Sequence, residues 1–578
     1  MTSIEPMNIL DSRRLTGPGL LLDGPGAVLD IRLEEPEREP AIAAWKIAAG
    51  RLLQAVDWEN ERLVARAFAG GVSLALSAPM DGLYAATELN ERAWATAAAE
   101  LEGRRPPDFR ADVASLLNEI ANERNPDLVA LAQAARSHGV TFLNGEDLVS
   151  VGSGSGAVVW PGDAIPSPAE VDWAAVHDVP TVLVTGSNGK TTVVRLLGAM
   201  VAAAGKVSGI TSTDGVTVGP TLLEAGDFSG PSGARMVLRR REVETAILET
   251  ARGGILRRGL PVDRADVAVV TNVADDHLGE FGVVSLPDLA TTKLLVARPL
   301  GSTGTLVLNA DDPLLVERSR DIPASIYWFS LHSSSELVAR HLEQGGTAVV
   351  ADEGRIVLAQ GNRRATLLEI AEIPITFAGV AEHNVANVLA AVAAGAALGI
   401  TVPQITAALR RFGHQLEDNP GRANLIELGG VRILLDFAHN PHGMLALVAV
   451  AKTFPAQRRL LLVGQAGDRS DEAIRELARA AWTLGPDHIV VKDMETYLRG
   501  RAPGVVPSLL AEEFSRLGVP QEAISWAGPE IAGVQRALEW ARPGDLLVLA
   551  VHEDRPAVLN LLDRLAASEW RAGDPIPG

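Results

Sequence analysis

Cysteine is absent from all 578 residues. That excludes disulfides, thiolate metal sites and a cysteine nucleophile, and a cytoplasmic setting is expected. Positive charge is in short supply, with 52 Lys and Arg against 72 Asp and Glu for a formal net charge of −20. Nucleic acid and anionic membrane surfaces are therefore disfavoured as principal partners, and an anionic nucleotide must be drawn by local features. Long apolar runs are missing too. The longest, Val388 to Val402, falls short of the ~20 residues of a spanning helix and is expected to form one buried, alanine-rich helix. The start, MTSIEPMNILDSRR, has no apolar core of the signal-peptide kind.

What is present is an ordinary globular composition, 47% hydrophobic and 21% charged. At ~100–200 residues per domain the chain predicts three or four domains. They are organised around Thr181 to Thr192, TVLVTGSNGKTT, where an apolar run enters a glycine-rich turn and leaves through helical spacing. Strand, phosphate loop and helix follow in that order. Gly186 and Gly189 let backbone N–H groups approach a polyphosphate, with Ser187 and Asn188 between them. Lys190 supplies a charge for the outer phosphates, and Thr191, followed by Thr192, can place its hydroxyl on Mg2+. The loop reads as an ATP site; the rival reading is a glycine turn with a chance Gly-Lys-Thr.

From Met1 to about Arg104 short apolar runs alternate with acidic and proline-rich turns, which suggests a small α+β domain. Asp112 to Ala135 reads as two helices, and the GSGSG of Gly152 to Gly156 as a turn. Past Pro168 apolar strands end in polar clusters, at Glu249-Thr250, at Asn272 with Asp275-Asp276-His277, and at Asn309 to Asp312. Parallel α/β sheets bind ligands at such ends, so these converge with the phosphate loop on one crevice. Glu249 and His277 are placed to hold magnesium there. After Asn419-Pro420-Gly421 the same pattern recurs, with strands ending at Asp436 and His439-Asn440, at Gly464 to Asp471, at Lys492-Asp493 and at His552-Glu553-Asp554. The expected fold class is α/β in three domains: residues 1–165, a small α+β domain; 166–418, a phosphate-loop domain on a parallel sheet; and 419–578, a Rossmann-like domain.

The compact loop resembles that of the Mur ligases and folylpolyglutamate synthetases, with Ser187 where those families often carry threonine. Asn272 with Asp276-His277-Leu278 is similar to the Mur ligase metal element, and Glu249 takes the place of its other magnesium ligand. Lys293 falls where many members carry a lysine carbamylated by CO2, an anion able to bridge to a second Mg2+; the alternative is an exposed helix lysine. His383-Asn384 with Asn387 resembles the family's adenine-side element, helix capping being the rival reading for either asparagine. Arg422 matches the hinge arginine, and Asp436 the nucleotide-facing motif of the last domain.

Within the family, Thr211 to Gly215, Glu249 to Leu260, Gly467 to Leu477 and Arg499-Gly500-Arg501 resemble the Mur-like half of the cyanophycin synthetases. The resemblance implies that Arg252, Arg257, Asp468, Arg469, Arg499 and Arg501, with His439, hold the acceptor and the amino acid, because guanidinium grips carboxylate with two hydrogen bonds. Surface salt bridges are the alternative for most of them. The first domain resembles its counterpart there through Arg14 to Ile31 and Ala132 to Val151. Only Gly139 to Val179 lies where those enzymes carry a whole ATP-grasp module, so one of their two activities is expected to be absent.

The implied reaction is ATP-dependent amide-bond formation with Mg2+, through an acyl phosphate on a carboxylate acceptor, an aspartyl peptide among the candidates, attacked by an amino acid or other amine. A catalytically reduced nucleotide-binding partner protein and a small-molecule kinase are the competing classes. A homo-oligomer is an option that the resemblance raises by analogy.

Overall fold

The computed structural model describes residues 8–145, 147–275 and 278–576. The expected metal residues Asp276 and His277 lie outside the described residues. The fold is α/β, in three domains.

The central sheet has eleven strands. Thr181–Thr185 lies between Thr245–Glu249 and Ala265–Val270, and all three run parallel. Ser208–Ser212 extends the parallel set on one side, and Leu300–Asn309, Ser325–Ser330 and Thr347–Asp352 on the other. Antiparallel strands close both edges. The strands are apolar throughout because both faces are covered: Val182 and Val184 pack into one core with the helices Lys190–Ala203 and Glu382–Ala397, while Leu183 points into the other. Chain order reverses at Thr181–Thr185, so the crevice beside its carboxyl end opens at the phosphate loop.

Helix Glu382–Ala397 lies close on Lys190–Ala203 because it is built largely of alanine; a Cβ at Gly395 would meet Met200 Sδ at 3.0 Å. The run Val388 to Val402, expected as one helix, is two. Gly399 turns left-handed at φ +75, and Thr401 with Gln404 forms a capping box that starts helix Val402–Arg411. Among the described residues no helix is long and apolar enough to cross a membrane.

The C-terminal domain is a six-stranded sheet, parallel except for the edge strand Asn424–Leu428. Its strands Val431–Asp436 and Leu546–Ala550 are neighbours, so the polar clusters after Asp436 and Ala550 stand side by side. The N-terminal domain is a four-stranded antiparallel sheet, Ile9–Leu15, Gly26–Arg32, Gly71–Ser77 and Leu63–Phe68 in that spatial order, backed by helices Glu35–Ala55 and Leu83–Leu101. The two helices expected after it are Phe109–Glu123 and Pro126–Ser137. A small sheet, Phe142–Asn144, Leu148–Val151 and Val158–Pro161, follows and is tied to the central domain by Arg239, which donates to the carbonyls of Leu143 and Leu148.

Candidate active site at the domain junction

The phosphate loop is pinned from below by the end of the neighbouring strand. The Ser187 hydroxyl donates to the Ala274 carbonyl and accepts from the Ala274 N–H, both at 2.9 Å. Asn188 N–H donates to Asn272 Oδ1 at 3.0 Å, while Thr271 Oγ1 and Asn272 Nδ2 donate back to the Asn188 carbonyl. That turn is itself braced: Asn309 donates to the Thr271 carbonyl, and Asp312 accepts from Val273 N–H at 2.7 Å. Two converging strand ends thus hold the loop. Both glycines are required by packing, since a Cβ at Gly186 would lie 1.8 Å from Thr271 Oγ1 and one at Gly189 2.0 Å from Asn387 Oδ1. Gly189, at φ +86, precedes the first residue of helix Lys190–Ala203, whose free N–H groups and dipole favour an anion. The Lys190 ammonium curls over the loop and donates to the carbonyls of Gly186 and Ser187.

Thr191 and Glu249 meet beside the loop. Thr191 Oγ1 donates to Glu249 Oε2 at 2.9 Å, whereas Glu249 Oε1 is buried with no hydrogen-bond partner. Burial raises the Glu249 carboxyl above its ordinary range, against the pull of Lys190, Arg422 and the Thr191 hydroxyl. A buried carboxylate with one unmatched oxygen next to a hydroxyl at a phosphate loop is the donor set a hard divalent cation takes, so the residues present fit Mg2+.

The other side of the site comes from the C-terminal domain. Arg422 Nη2 lies 3.3 Å from Thr191 Oγ1 and from Thr213 Oγ1, and its guanidinium sits 4.3 Å over the Phe437 ring. Asp436 accepts from Ala423 N–H at 2.6 Å and thereby holds the turn that carries Arg422. Asn188, at the tip of the loop, accepts from Asn440 Nδ2 at 3.0 Å, with His442 Nδ1 3.1 Å from its amide nitrogen. Asn419 Nδ2 lies 3.3 Å from Thr192 Oγ1.

Deeper in the junction Asp214 receives two arginines from different domains. Arg195, on the phosphate-loop helix, donates at 2.9 Å, and Arg555, at the start of helix Arg555–Ala567, at 2.8 Å. Burial opposes ionisation of Asp214, yet Arg422, Arg555 and Arg195 outweigh it and hold the carboxyl below its ordinary range. Asp214, Arg195 and Arg555 are site residues that sequence reasoning missed. A signal existed for two of them: Asp214 lies in the Thr211 to Gly215 segment just after the strand Ser208–Ser212, and Arg555 directly follows the polar strand end His552-Glu553-Asp554.

The remaining sequence-predicted residues divide. Lys293 is buried, at 2% exposure, in the last turn of helix Leu286–Leu294, so the exposed-lysine reading is wrong: this turn packs into the core beside Leu289 and Leu294. Asn384 and Asn387 are buried within helix Glu382–Ala397, which begins at Glu382, so neither caps it; Asn384 donates to the Ile375 carbonyl and Asn387 to Asn384 Oδ1. His383 beside them is pushed down to about 4 by burial. Arg252 forms an ion pair with Glu280, and Arg257 lies 5.7 Å from the Phe281 ring. Asp468, Arg469, Arg499 and Arg501 gather in a separate cluster of the C-terminal domain, where Arg499 pairs with Asp468, and Arg501 pairs with Asp471 and donates to the Arg469 carbonyl. Burial raises the Tyr497 hydroxyl in that cluster, and the charge of Asp227 in the central domain adds to the rise. The His439 carbonyl accepts from Gln465.

Comparison with known proteins agrees with this layout. Residues 184–395 match the Mur ligase middle domain and residues 421–550 the Mur ligase, glutamate ligase domain. Cyanophycin synthetase of Nostoc sp. is 38% identical over 384 residues, 66% of this chain and 42% of that protein. That of Crocosphaera subtropica is 40% identical over 334 residues, 58% of this chain and 38% of that one. The chain therefore spans about two-fifths of the length of these relatives. UDP-N-acetylmuramoyl-L-alanyl-D-glutamate--L-lysine ligase of Staphylococcus epidermidis is 23% identical over 382 residues, 65% of this chain and 72% of that enzyme. Escherichia coli FolC in complex with ADP shares the fold at a TM-score of 0.50 and 19% identity, over 67% of this chain and 89% of that one. With the middle and the glutamate ligase domains both matched, over more than half of its length in total, the chain belongs to the Mur ligase family.

Proposed function

We propose that this protein is an ATP-dependent, ADP-forming ligase that activates an acceptor carboxylate as an acyl phosphate and joins it to an amino acid or another amine. The observation that carries the reading is the meeting of Thr191, the unmatched Glu249 oxygen and Arg422 at one phosphate loop. The relatives' names, synthetase and ligase, support the reaction class. In this reading the loop N–H groups and Lys190 bind the phosphates, Asn384 and Asn387 lie on the adenine side, and Arg422 and Asp436 join the C-terminal domain to the nucleotide. Thr191 and Glu249 would hold Mg2+, with His277 and a carbamylated Lys293 as further candidates; when bound it supplies positive charge for the γ-phosphate oxygens. Closing the C-terminal domain excludes water and brings the amine to the acyl phosphate. The cluster of Asp468, Arg469, Arg499 and Arg501, with Arg252 and His439, is proposed to hold the acceptor and the amine.

The test is phosphate release with Mg2+-ATP against a matrix of amino acids and carboxylate acceptors, aspartyl peptides included. A single mass increment on the acceptor with one ADP formed per bond is expected. Long polymer from free aspartate and arginine alone is not, since only Gly139 to Val179 stands where the resemblance would put a second ATP-dependent module. Lys190→Ala should lower turnover by ~100–1,000-fold, the scale of one lost charge-stabilising donor, with circular dichroism unchanged. Wild-type turnover in that variant would remove the site from consideration.

A further inference from the structure

The N-terminal domain reaches the segment that leads into the Lys293 helix. Arg66, on the strand Leu63–Phe68, donates Nη1 to the Gly282 carbonyl at 2.8 Å and pairs Nη2 with Asp288. Asp288 lies in the first turn of helix Leu286–Leu294, where its other oxygen takes the Ser285 hydroxyl at 2.8 Å. One guanidinium thus ties the turn before the helix to the helix itself. Phe281 and Gly282 are consecutive left-handed residues, at φ +53 and +70. For phenylalanine that conformation persists only with outside support. Support is present: Arg13, on the edge strand Ile9–Leu15, lies 4.9 Å over the Phe281 ring, and a Cβ at Gly282 would meet the Phe68 ring at 2.9 Å and Ser73 Oγ at 3.0 Å.

The geometry points to Arg66 as a positioning residue, through which the N-terminal sheet sets the path of residues 280–288 and hence the placement of Lys293. This rests on the ligase reading for its consequence in turnover. Its structural half stands alone, because the strained turn and the ion pair are properties of the free protein. On this view the N-terminal domain serves the central site as a wall, whatever else it binds.

The experiment uses the full chain with Arg66→Ala, Arg66→Lys, Asp288→Asn and the Arg66→Ala/Asp288→Asn double variant. Without nucleotide, hydrogen exchange of peptides covering residues 279–294 should quicken at least tenfold in Arg66→Ala, with the phosphate-loop peptide unchanged. The kcat for ATP turnover should fall by about tenfold or more while the KM for ATP stays within about twofold. Lysine keeps the charge but reaches one partner, so Arg66→Lys should recover only part of kcat, and the double variant should be no worse than Arg66→Ala. Faster exchange throughout the chain with a lower Tm, or local exchange that quickens while kcat stays at the wild-type value, would overturn the proposal. Should wild type show no ATP turnover with any acceptor, the ligase reading fails, and the exchange pattern still decides whether Arg66 holds the segment.

Discussion

The central domain is gripped on two sides by different chemistry. At the N-terminal junction side-chain ties such as Arg66 on Asp288 are reinforced by main chain meeting main chain: Thr16 N–H donates to the Arg258 carbonyl at 2.8 Å and Leu260 N–H to the Pro18 carbonyl at 2.6 Å. Buried Arg13 adds a bond to the Leu256 carbonyl at 2.9 Å. At the C-terminal junction the contacts are tips of side chains, Asn440 on Asn188, Arg422 on Thr191 and Arg555 on Asp214, together with the edge-to-face pair Phe377 and Phe454. Main-chain bonds fix one geometry and leave buried polar groups orphaned if they part. Long side chains can let go and be solvated. The first junction is the stiffer of the two; under the proposed ligase function the second is the one that would open and close to admit ATP and an amine.

The largest effect is expected where the permanent junction has no slack. Gly259 has φ +87, and a Cβ there would lie 2.2 Å from the Gly17 carbonyl oxygen, which is backbone and cannot rotate away. Gly259→Ala should destabilise the protein by about 2–5 kcal/mol, the left-handed strain and the overpacking combined. Urea unfolding measures it. A variant as stable as wild type would show that this junction yields like the other one.

The reversible junction should respond in turnover and not in stability. Asp214→Asn would also break the pair with Arg195 inside the central domain, so the cleaner probe is Arg555→Ala, which removes one side of a largely buried charge pair across the junction, on the order of 2–5 kcal/mol against the closed arrangement. That corresponds to a loss of ~30-fold or more in kcat/KM, with unfolding nearly unchanged. Asp214 also contributes to the pH dependence. Its folded carboxyl lies below the ordinary value of 3.8, so its contribution is complete above that value and is lost as pH falls through the depressed one. The Asp214 share of closure, read by small-angle scattering with ADP bound as the difference between wild type and Asp214→Asn, should therefore stay constant above the ordinary carboxylate value and fall only below it. Opening that begins near neutral pH and persists in Asp214→Asn would assign the pH response to another group.

Much of this was legible where the pattern is short and continuous. TVLVTGSNGKTT reads as strand, loop and helix because each residue's conformation is set by its immediate neighbours, and Glu249 stands beside the loop because it ends the neighbouring apolar run. The two junctions were not legible, since Arg555 and Asp214 stand 341 positions apart and Asn188 and Asn440 252 apart, and no local rule pairs them. Helix Glu382–Ala397 is preceded by Ala381, whose side chain makes no cap, so Asn387 looked like the start when the true one carries no mark. Val388 to Val402 was misread because its apolar continuity outweighed Gly399 and the Thr401 to Gln404 box, which together specify a stop and a new start.

The smallest effect separates local folding from closure at one residue. Asn440 has two tasks: its Oδ1 accepts from Gly443 N–H at 2.8 Å and caps helix Pro441–Thr453, while its Nδ2 donates to Asn188 at the loop tip. Alanine would remove both and blur them. Aspartate keeps an oxygen for the cap and adds a charge favoured at a helix N-terminus, but it sets a second oxygen against Asn188 Oδ1 in place of the donor. Asn440→Asp should therefore unfold at or slightly above the wild-type denaturant midpoint and lose only ~2–10-fold in kcat/KM, the worth of one neutral hydrogen bond of about 0.5–1.5 kcal/mol. Lower stability with full turnover is the opposite result; it would mean that Asn440 serves its own helix alone and that the Asn188 contact does not contribute to closure.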